Sequence, residues 1–167
     1  MEVMEAIRSR RSVRRYLDKE IPTEFVSELI EAGRWAPSAN NSQPQKFVVI
    51  RDKAKRESIA EATTYGKFIS AAPACIAVVA DPQRSPRHYV EDCSAATQNV
   101  LLAAHSWGLG TCWVGVFNSE YEADVKQILG IPHEQRIVSL IAVGYPAETG
   151  HSTRREMEKI VSYDLYE

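Results

Sequence analysis

The chain lacks the features that mark secreted or membrane proteins. It has only three cysteines in 167 residues, Cys75, Cys93 and Cys112, an odd number without CxxC spacing. This excludes a disulfide framework, offers no zinc motif and favours a reducing compartment. No apolar run approaches the ~18 residues of a membrane-spanning helix. The opening stretch MEVMEAIRSR carries acidic residues and lacks an apolar core, so we expect no signal peptide and a cytoplasmic location.

The chain also lacks the common nucleotide-binding patterns. It contains no GxGxxG before a helix and no GxxxxGK[ST], so neither a dinucleotide fingerprint nor a P-loop is predicted. Its four histidines are scattered, and we expect no metal site. The formal net charge of −2 argues against general binding to nucleic acids or to membrane surfaces.

Apolar patterning indicates an ordinary globular protein with one domain over residues 1–167. Hydrophobic residues make up 44% and charged residues 25% of the chain. Thr23 and Ser119 are predicted helix N-caps, and Gly130 a helix end. Helices and strands alternate, which indicates an α/β or α+β class with helices covering a sheet. The predicted helices are 3–10, 23–36, 53–64, 89–108 and 119–130, and the predicted strands are 46–50, 74–81, 111–117 and 136–145.

The stretch RSRRSVRRY crowds arginines together near the start of the chain. In an extended segment alternate residues share a face, so Arg10, Ser12 and Arg14 would point one way and Val13 toward the core. Two guanidinium groups and a hydroxyl on one face suit a phosphate group. The alternative is a charge run that faces only solvent.

Two further stretches are rich in residues that suit ligands. PSANNSQPQ, residues 37–45, places amides and hydroxyls between two prolines, either for hydrogen bonds to a polar ring or as a plain turn. GLGTCWVG, residues 108–115, has glycines that would let backbone approach a ligand, or that form a helix C-cap and a tight turn.

Taken in order, these motifs resemble the nitroreductase family of flavin mononucleotide (FMN) enzymes. RRSVRRY, APSANNSQPQKFVVI, GLGTCWVGVF and GYPAE with RREMEKIV follow one another along essentially the whole chain. The resemblance implies an α+β, three-layer α/β/α fold with a central, mostly antiparallel sheet flanked by helices. It also implies a homodimer with exchanged C-terminal arms and FMN sites at the interface.

The resemblance assigns the following cofactor-binding residues. The segment expected at the FMN phosphate, ribityl chain and pyrimidine edge is Arg10, Arg11, Ser12 and Arg14. The segment that the partner subunit is expected to lay along the flavin is Pro37, Ser38, Ala39, Asn40 and Asn41, with Gln43 close behind. Lys67 is expected near the flavin pyrimidine. The turn expected to face the ring is Gly108, Leu109, Gly110 and Thr111. A basic residue of the C-terminal segment, Arg154 or Arg155, is expected at the phosphate.

The implied activity passes two electrons from NAD(P)H to nitroaromatic, quinone or similar acceptors by a ping-pong mechanism. The flavin N5 carries the chemistry, and no side chain is assigned as catalytic. Arg14, with Lys67, is expected to stabilise negative charge on the reduced ring. The alternatives are a flavin-binding redox sensor or carrier without turnover, and a nucleic-acid-binding module that uses the arginines. No nucleic-acid or membrane partner is expected.

Overall fold

The computed structural model of the protein describes residues 1–166 and contains helices and strands in alternation. The helices are α1 (Val3–Ser9), α2 (Thr23–Arg34), α3 (Lys53–Ala62), α4 (Tyr89–Ser106) and α5 (Glu122–Leu129). The strands are β1 (Gln45–Ile50), β2 (Ala74–Ala80), β3 (Gly110–Gly115) and β4 (Arg136–Gly144). Short 3-10 helices occupy Ala39–Asn41, Lys67–Ala71 and Met157–Lys159. All of the predicted helices and strands are present, with ends that differ by a few residues.

The four strands form one antiparallel sheet in the order β1-β2-β4-β3. Every residue of β2 is buried, as expected for a central strand covered on both faces. At the β3 edge, Ser12 forms an isolated parallel bridge with Thr111. The arginine-rich segment therefore extends this edge of the sheet.

Each face of the sheet carries its own apolar core, which makes the fold three layers deep. On one face α4 packs against the sheet and α2 packs against α4, around residues such as Leu29, Ile76 and Val100. The other face is covered by α3, α5 and the Lys67–Ala71 segment, around Ile59 and Val125. The predicted three-layer α+β fold with an antiparallel sheet is thus confirmed.

The helix caps differ from two of the sequence-based predictions. Pro22 is the N-cap of α2, and Thr23 is already helical; the proline pre-sets a backbone angle suited to the helix entry. Tyr121 is the N-cap of α5, while the Ser119 hydroxyl donates to the Val116 carbonyl instead of capping. The predicted end at Gly130 is confirmed, because this glycine adopts the left-handed conformation with φ 65°.

Both termini present apolar side chains to solvent. In α1 only Ala6 is buried, and Val3 is 70% exposed. Every residue from 151 to 166 is exposed, including Ile160, Tyr163 and Leu165. We call residues 151–166 the C-terminal arm. No helix within residues 1–166 has the length and apolar character needed to cross a membrane.

A nearly buried carboxylate, that of Glu122, ties the start of α5 to β4. It accepts hydrogen bonds from the Asn118 amide at 3.0 Å and the Ile137 amide at 3.1 Å. It also pairs with the Arg136 guanidinium at 2.8 Å. Burial opposes the ionisation of Glu122, but the hydrogen bonds from Arg136, Ile137 and Asn118 outweigh it and lower the pKa of this carboxyl from its ordinary value.

Glu122→Gln should lower the free energy of unfolding by about 1.5–3 kcal/mol at neutral pH, because hydrogen bonds to a charged group are lost. Since the folded-state pKa is depressed, this contribution is complete above the unfolded pKa and disappears as pH falls through the folded pKa. Urea unfolding at a series of pH values should show the two proteins converging in acid. Glu134→Gln, an exposed carboxylate, is the control; an equal loss in both variants would contradict the prediction.

Candidate functional site

The arginine-rich segment runs along β3 with the alternation that the sequence predicts. The Val13 amide donates to the Thr111 carbonyl at 2.9 Å, and the Val13 side chain is buried with 6% exposure. Its neighbours Ser12 and Arg14 are exposed. The expected inward orientation of Val13 is confirmed, and the polar side chains on either side are left for a ligand.

A cleft of about 330 Å³ brings the arginine-rich segment together with the start of the C-terminal arm. We call it the arginine cleft. Arg154 is part of its lining, whereas the Arg155 guanidinium donates to the Lys159 carbonyl at 2.6 Å. The geometry therefore favours Arg154 over Arg155 as the second source of positive charge. The lining residues are Arg10, Arg11, Ser12, Arg14, Gly150, His151, Ser152 and Arg154.

The charged groups that line this cleft include four arginines, Arg10, Arg11, Arg14 and Arg154. In residues 1–166 none of the four lining arginines forms an ion pair. Burial, followed by the charges of Arg154 and Arg11, lowers the pKa of the Arg10 guanidinium. An anion bound here would relieve this repulsion and accept forked hydrogen bonds. The donor set and its charge thus fit the phosphate end of FMN.

Two residues that the sequence reasoning did not single out hold the arginine-rich segment in place. The Glu148 carboxylate accepts the backbone amides of Arg14 at 2.7 Å and Arg15 at 3.2 Å. The Arg14 guanidinium lies 5.8 Å from the centroid of the Phe68 ring, within the range of a cation–π contact. The stretch GYPAETG could have indicated Glu148, because it places an acidic residue shortly after the core strand β4.

Lys67 does not point into the arginine cleft. Its amine donates to the Glu61 carbonyl at the end of α3, at 3.0 Å. The neighbouring Phe68 is the residue of this segment that contacts Arg14. The role of Lys67 near the flavin pyrimidine stays a prediction. It would require the Lys67 amine to release its hydrogen bond to the Glu61 carbonyl.

The glycine turn at the end of α4 is first of all a helix C-cap. The Gly108 amide donates to the His105 carbonyl at 3.0 Å, and the Leu109 amide to the Ala104 carbonyl at 2.9 Å. With Gly108 at φ 77°, this is the Schellman arrangement. These two amides are therefore not free to donate to a ring, and the Leu109 side chain lies in the core.

Beside this turn lies a second cleft, of about 570 Å³, which shares Arg10, Arg11 and Gly150 with the arginine cleft. The Thr111 hydroxyl, on a residue that lines it, is buried without a hydrogen-bond partner in the described chain. Such an orphaned polar group suits a ligand or a water molecule. The GLGT turn thus borders the site, although its first amides are occupied.

The loop Ser38–Gln43 lies far from the arginine cleft within one chain. The Ala39 amide is bonded to Asp92, in the first turn of α4, while Ser9 contacts His105 in the last turn. At 1.5 Å per residue, these two turns of α4 are about 20 Å apart. One chain therefore does not bring its own loop and its own arginines into one site.

The close approach of the arginine-rich segment to β3 depends on Gly110. A Cβ at this position would lie 2.9 Å from the Cβ of Val13, and the β-branched Val13 side chain is stiff. Gly110→Ala should lower the free energy of unfolding by about 1–3 kcal/mol through overpacking. Gly115→Ala on the same strand, where a Cβ meets nothing within 4 Å, is the control. Equal unfolding free energies for the two variants would show that the contact with Val13 is unimportant.

Comparison with known proteins assigns the chain and its fold to a family. The family model described as “Putative TM nitroreductase” matches residues 2–167. A “Putative NADH dehydrogenase/NAD(P)H nitroreductase” of Methanothermobacter thermautotrophicus is 41% identical over 151 residues, which cover 89% of this chain and 79% of the relative. Another relative with this name, from Archaeoglobus fulgidus, is 40% identical and covers 88% of this chain and 87% of its own.

Solved structures agree with this assignment. A structure described as a “putative nitroreductase in complex with FMN” from Desulfovibrio desulfuricans superimposes with a TM-score of 0.87 at 35% identity, covering 100% of this chain and 99% of the other. A protein of Bacteroides thetaiotaomicron reaches a TM-score of 0.94 at 36% identity and 98% coverage of both chains. The three-layer α+β fold is of the nitroreductase type. The chain belongs to the nitroreductase family, as its motifs predict.

Proposed function

We propose that this protein passes electrons in pairs from NAD(P)H through FMN to nitroaromatic, quinone or similar small acceptors, by a ping-pong mechanism. The broader class is an NAD(P)H-dependent flavin oxidoreductase with FMN as cofactor. Its relatives include an FMN reductase of Bacillus subtilis, 24% identical over 182 residues, besides the FMN complex described above.

The observation that carries the proposal is the arginine cleft. Arg10, Arg11, Ser12 and Arg154 would hold the phosphate, since they supply forked donors and unpaired positive charge at one place. FMN, when bound, supplies the hydride-transfer chemistry at its N5 atom. Arg14, steadied by Phe68, would supply positive charge where negative charge develops on the ring.

No side chain of the cleft is assigned a proton-transfer role. The Tyr16 hydroxyl donates to the Val13 carbonyl, and burial, more than any neighbouring charge, raises the pKa of Tyr16. Burial and the charges of Arg10 and Arg11 lower the pKa of His105, which favours its neutral form. Protons are therefore assigned to solvent, and the protein binds and orients.

The proposal includes a homodimer whose subunits complete each other's sites. The C-terminal arm and α1 expose apolar side chains that a second subunit could cover. Within one chain, about 20 Å of α4 separates the Ser38–Gln43 loop from the arginine-rich segment. A second copy would bring its loop, from Pro37 to Gln43, to the flavin held by the first. A cytoplasmic location is also proposed, because Cys75, Cys93 and Cys112 are all free and buried.

Cofactor analysis and steady-state kinetics test this function. Heat should release FMN, identified by chromatography, and NADH or NADPH oxidation should require an added quinone or nitroaromatic compound. Double-reciprocal plots of initial rate against donor concentration, measured at several fixed acceptor concentrations, should give parallel lines. Recovery of FAD, or of no flavin after reconstitution, would contradict the cofactor assignment. Bound FMN without turnover would indicate a redox sensor or carrier instead.

A further inference from the structure

The loop between α2 and β1 is held in a strained conformation. Asn40, Asn41 and Gln43 have φ angles of 52°, 54° and 47°. These angles lie in the left-handed region, which is unfavourable for a residue with a Cβ and which asparagine tolerates better than glutamine. A connection between a helix and a strand does not need such angles. The loop keeps them only if the surrounding structure holds it.

The main tie is a buried carboxylate on a distant part of the chain. Asp92, 6% exposed, accepts the Ala39 amide through Oδ1 at 2.9 Å. Its other oxygen, Oδ2, accepts the hydroxyl of Ser85 at 2.7 Å, and Ser85 is only 4% exposed. Both carboxylate oxygens are thus occupied, and the loop is bonded to the first turn of α4.

Weaker ties fix the rest of the loop. The backbone amide of Gln43 donates to the Ser38 hydroxyl at 3.0 Å. The Arg84 guanidinium donates to the Ser42 carbonyl, also at 3.0 Å. The side-chain amides of Asn40 and Asn41, both exposed, make no hydrogen bond within residues 1–166. The hydrogen bonds that fix the loop therefore use its backbone groups at Ala39, Ser42 and Gln43. The side-chain amides of Asn40 and Asn41 are left available to bind a group outside the chain.

We infer that Asp92, oriented by Ser85, is a positioning residue that pre-organises the loop for the flavin of the partner subunit. This rests on the proposed function, in which the loop of one subunit covers the site of the other. The carboxylate does not touch the cofactor; it acts through the Ala39 backbone. Because a pre-ordered loop loses less freedom on binding, it raises affinity without adding a contact.

The test compares Asp92→Ala with Asp52→Ala in the holoprotein. Asp52 is a matched control, because its Oδ1 also accepts a backbone amide, that of Lys55 at 2.8 Å, but in α3. The readouts are amide hydrogen exchange of the peptide 37–43, the FMN dissociation constant, and visible circular dichroism of the flavin. Asp92→Ala should accelerate exchange in this peptide about ten- to hundredfold, as expected for loss of a hydrogen bond to a charged group.

The FMN dissociation constant should rise about tenfold, because the binding-competent loop becomes a minor state, and the flavin dichroism should change. Asp92→Asn keeps an acceptor for Ala39 and a donor for Ser85, so it should stay within about threefold of wild type. Asp52→Ala should leave exchange, affinity and dichroism unchanged.

Exchange that rises equally in both alanine variants, or rises in Asp92→Ala without weaker FMN binding, would overturn the inference. A purified wild-type protein that binds no FMN would instead overturn the proposed function. If Asp92→Ala does not fold, Ser85→Ala tests the same tie, and its expected effects are smaller and in the same direction.

Discussion

Replacing Ile160, Tyr163 and Leu165 together by serine is expected to abolish the proposed homodimer. These side chains are 55%, 86% and 76% exposed in the single chain, so their substitution removes no contact with its core. Each would contribute roughly 1.5–3 kcal/mol if buried against a partner. From these three contributions we expect the triple substitution to raise the dimer dissociation constant at least about a hundredfold. Sedimentation at several protein concentrations measures this change.

The same substitution should also weaken FMN binding, because the partner's loop would no longer reach the arginine cleft. Glu158→Ser is the control, since it changes an exposed polar residue of the same arm and should leave the dimer intact. The melting temperatures of both variants are measured as well, so that a loss of the dimer can be distinguished from a loss of folding. A triple variant that stays dimeric, or a wild-type holoprotein that is monomeric at micromolar concentration, would contradict the role proposed for the arm.

The second large effect is expected for Arg14→Ala. A hydrogen bond to a charged group contributes about 1.5–3 kcal/mol, so the FMN dissociation constant should rise roughly ten- to hundredfold. The midpoint potential of the bound flavin should also fall, because a cation beside the reduced, more negative ring is lost. Fluorescence titration with FMN and spectroscopic redox titration measure the two effects separately.

Arg8→Ala is the matched control for Arg14→Ala. Arg8 is exposed in the last turn of α1 and does not line the arginine cleft, so its removal should change FMN binding little. Equal losses in both variants would indicate a generic basic patch in which arginines are interchangeable. Unchanged affinity in both would show that the cofactor lies elsewhere.

Much of the fold could be predicted because its signals are local. Apolar spacing predicts α4, and alternation along RRSVR predicts the inward side chain of Val13, which the structure confirms. The misplaced caps at Thr23 and Ser119 show the limit of this reasoning. Serine and threonine can cap any nearby helix, but the packing of the surrounding chain decides whether they do so. Near the start of α5, the Ser119 hydroxyl donates to the Val116 carbonyl instead.

The candidate site was predictable where its residues are neighbours in the chain, and not where they come from distant segments. Arg10, Ser12 and Arg14 form one motif, but Glu148 reaches the Arg14 amide across 134 positions. Likewise, Asp92 meets Ala39 across 53 positions. Such contacts leave no periodicity in the sequence, because each depends on where two separately formed segments pack.

The sequence by itself determined the order of helices and strands, the family, and the side of the arginine-rich segment that faces outward. These follow from local geometry and from motifs that lie within a few residues. Only the tertiary structure decided that Arg154 lines the arginine cleft, that Lys67 turns to the end of α3, and that the Gly108 amide is used in a helix cap. The reason is competition: each polar group takes the best partner within reach, and only packing establishes which partners are within reach.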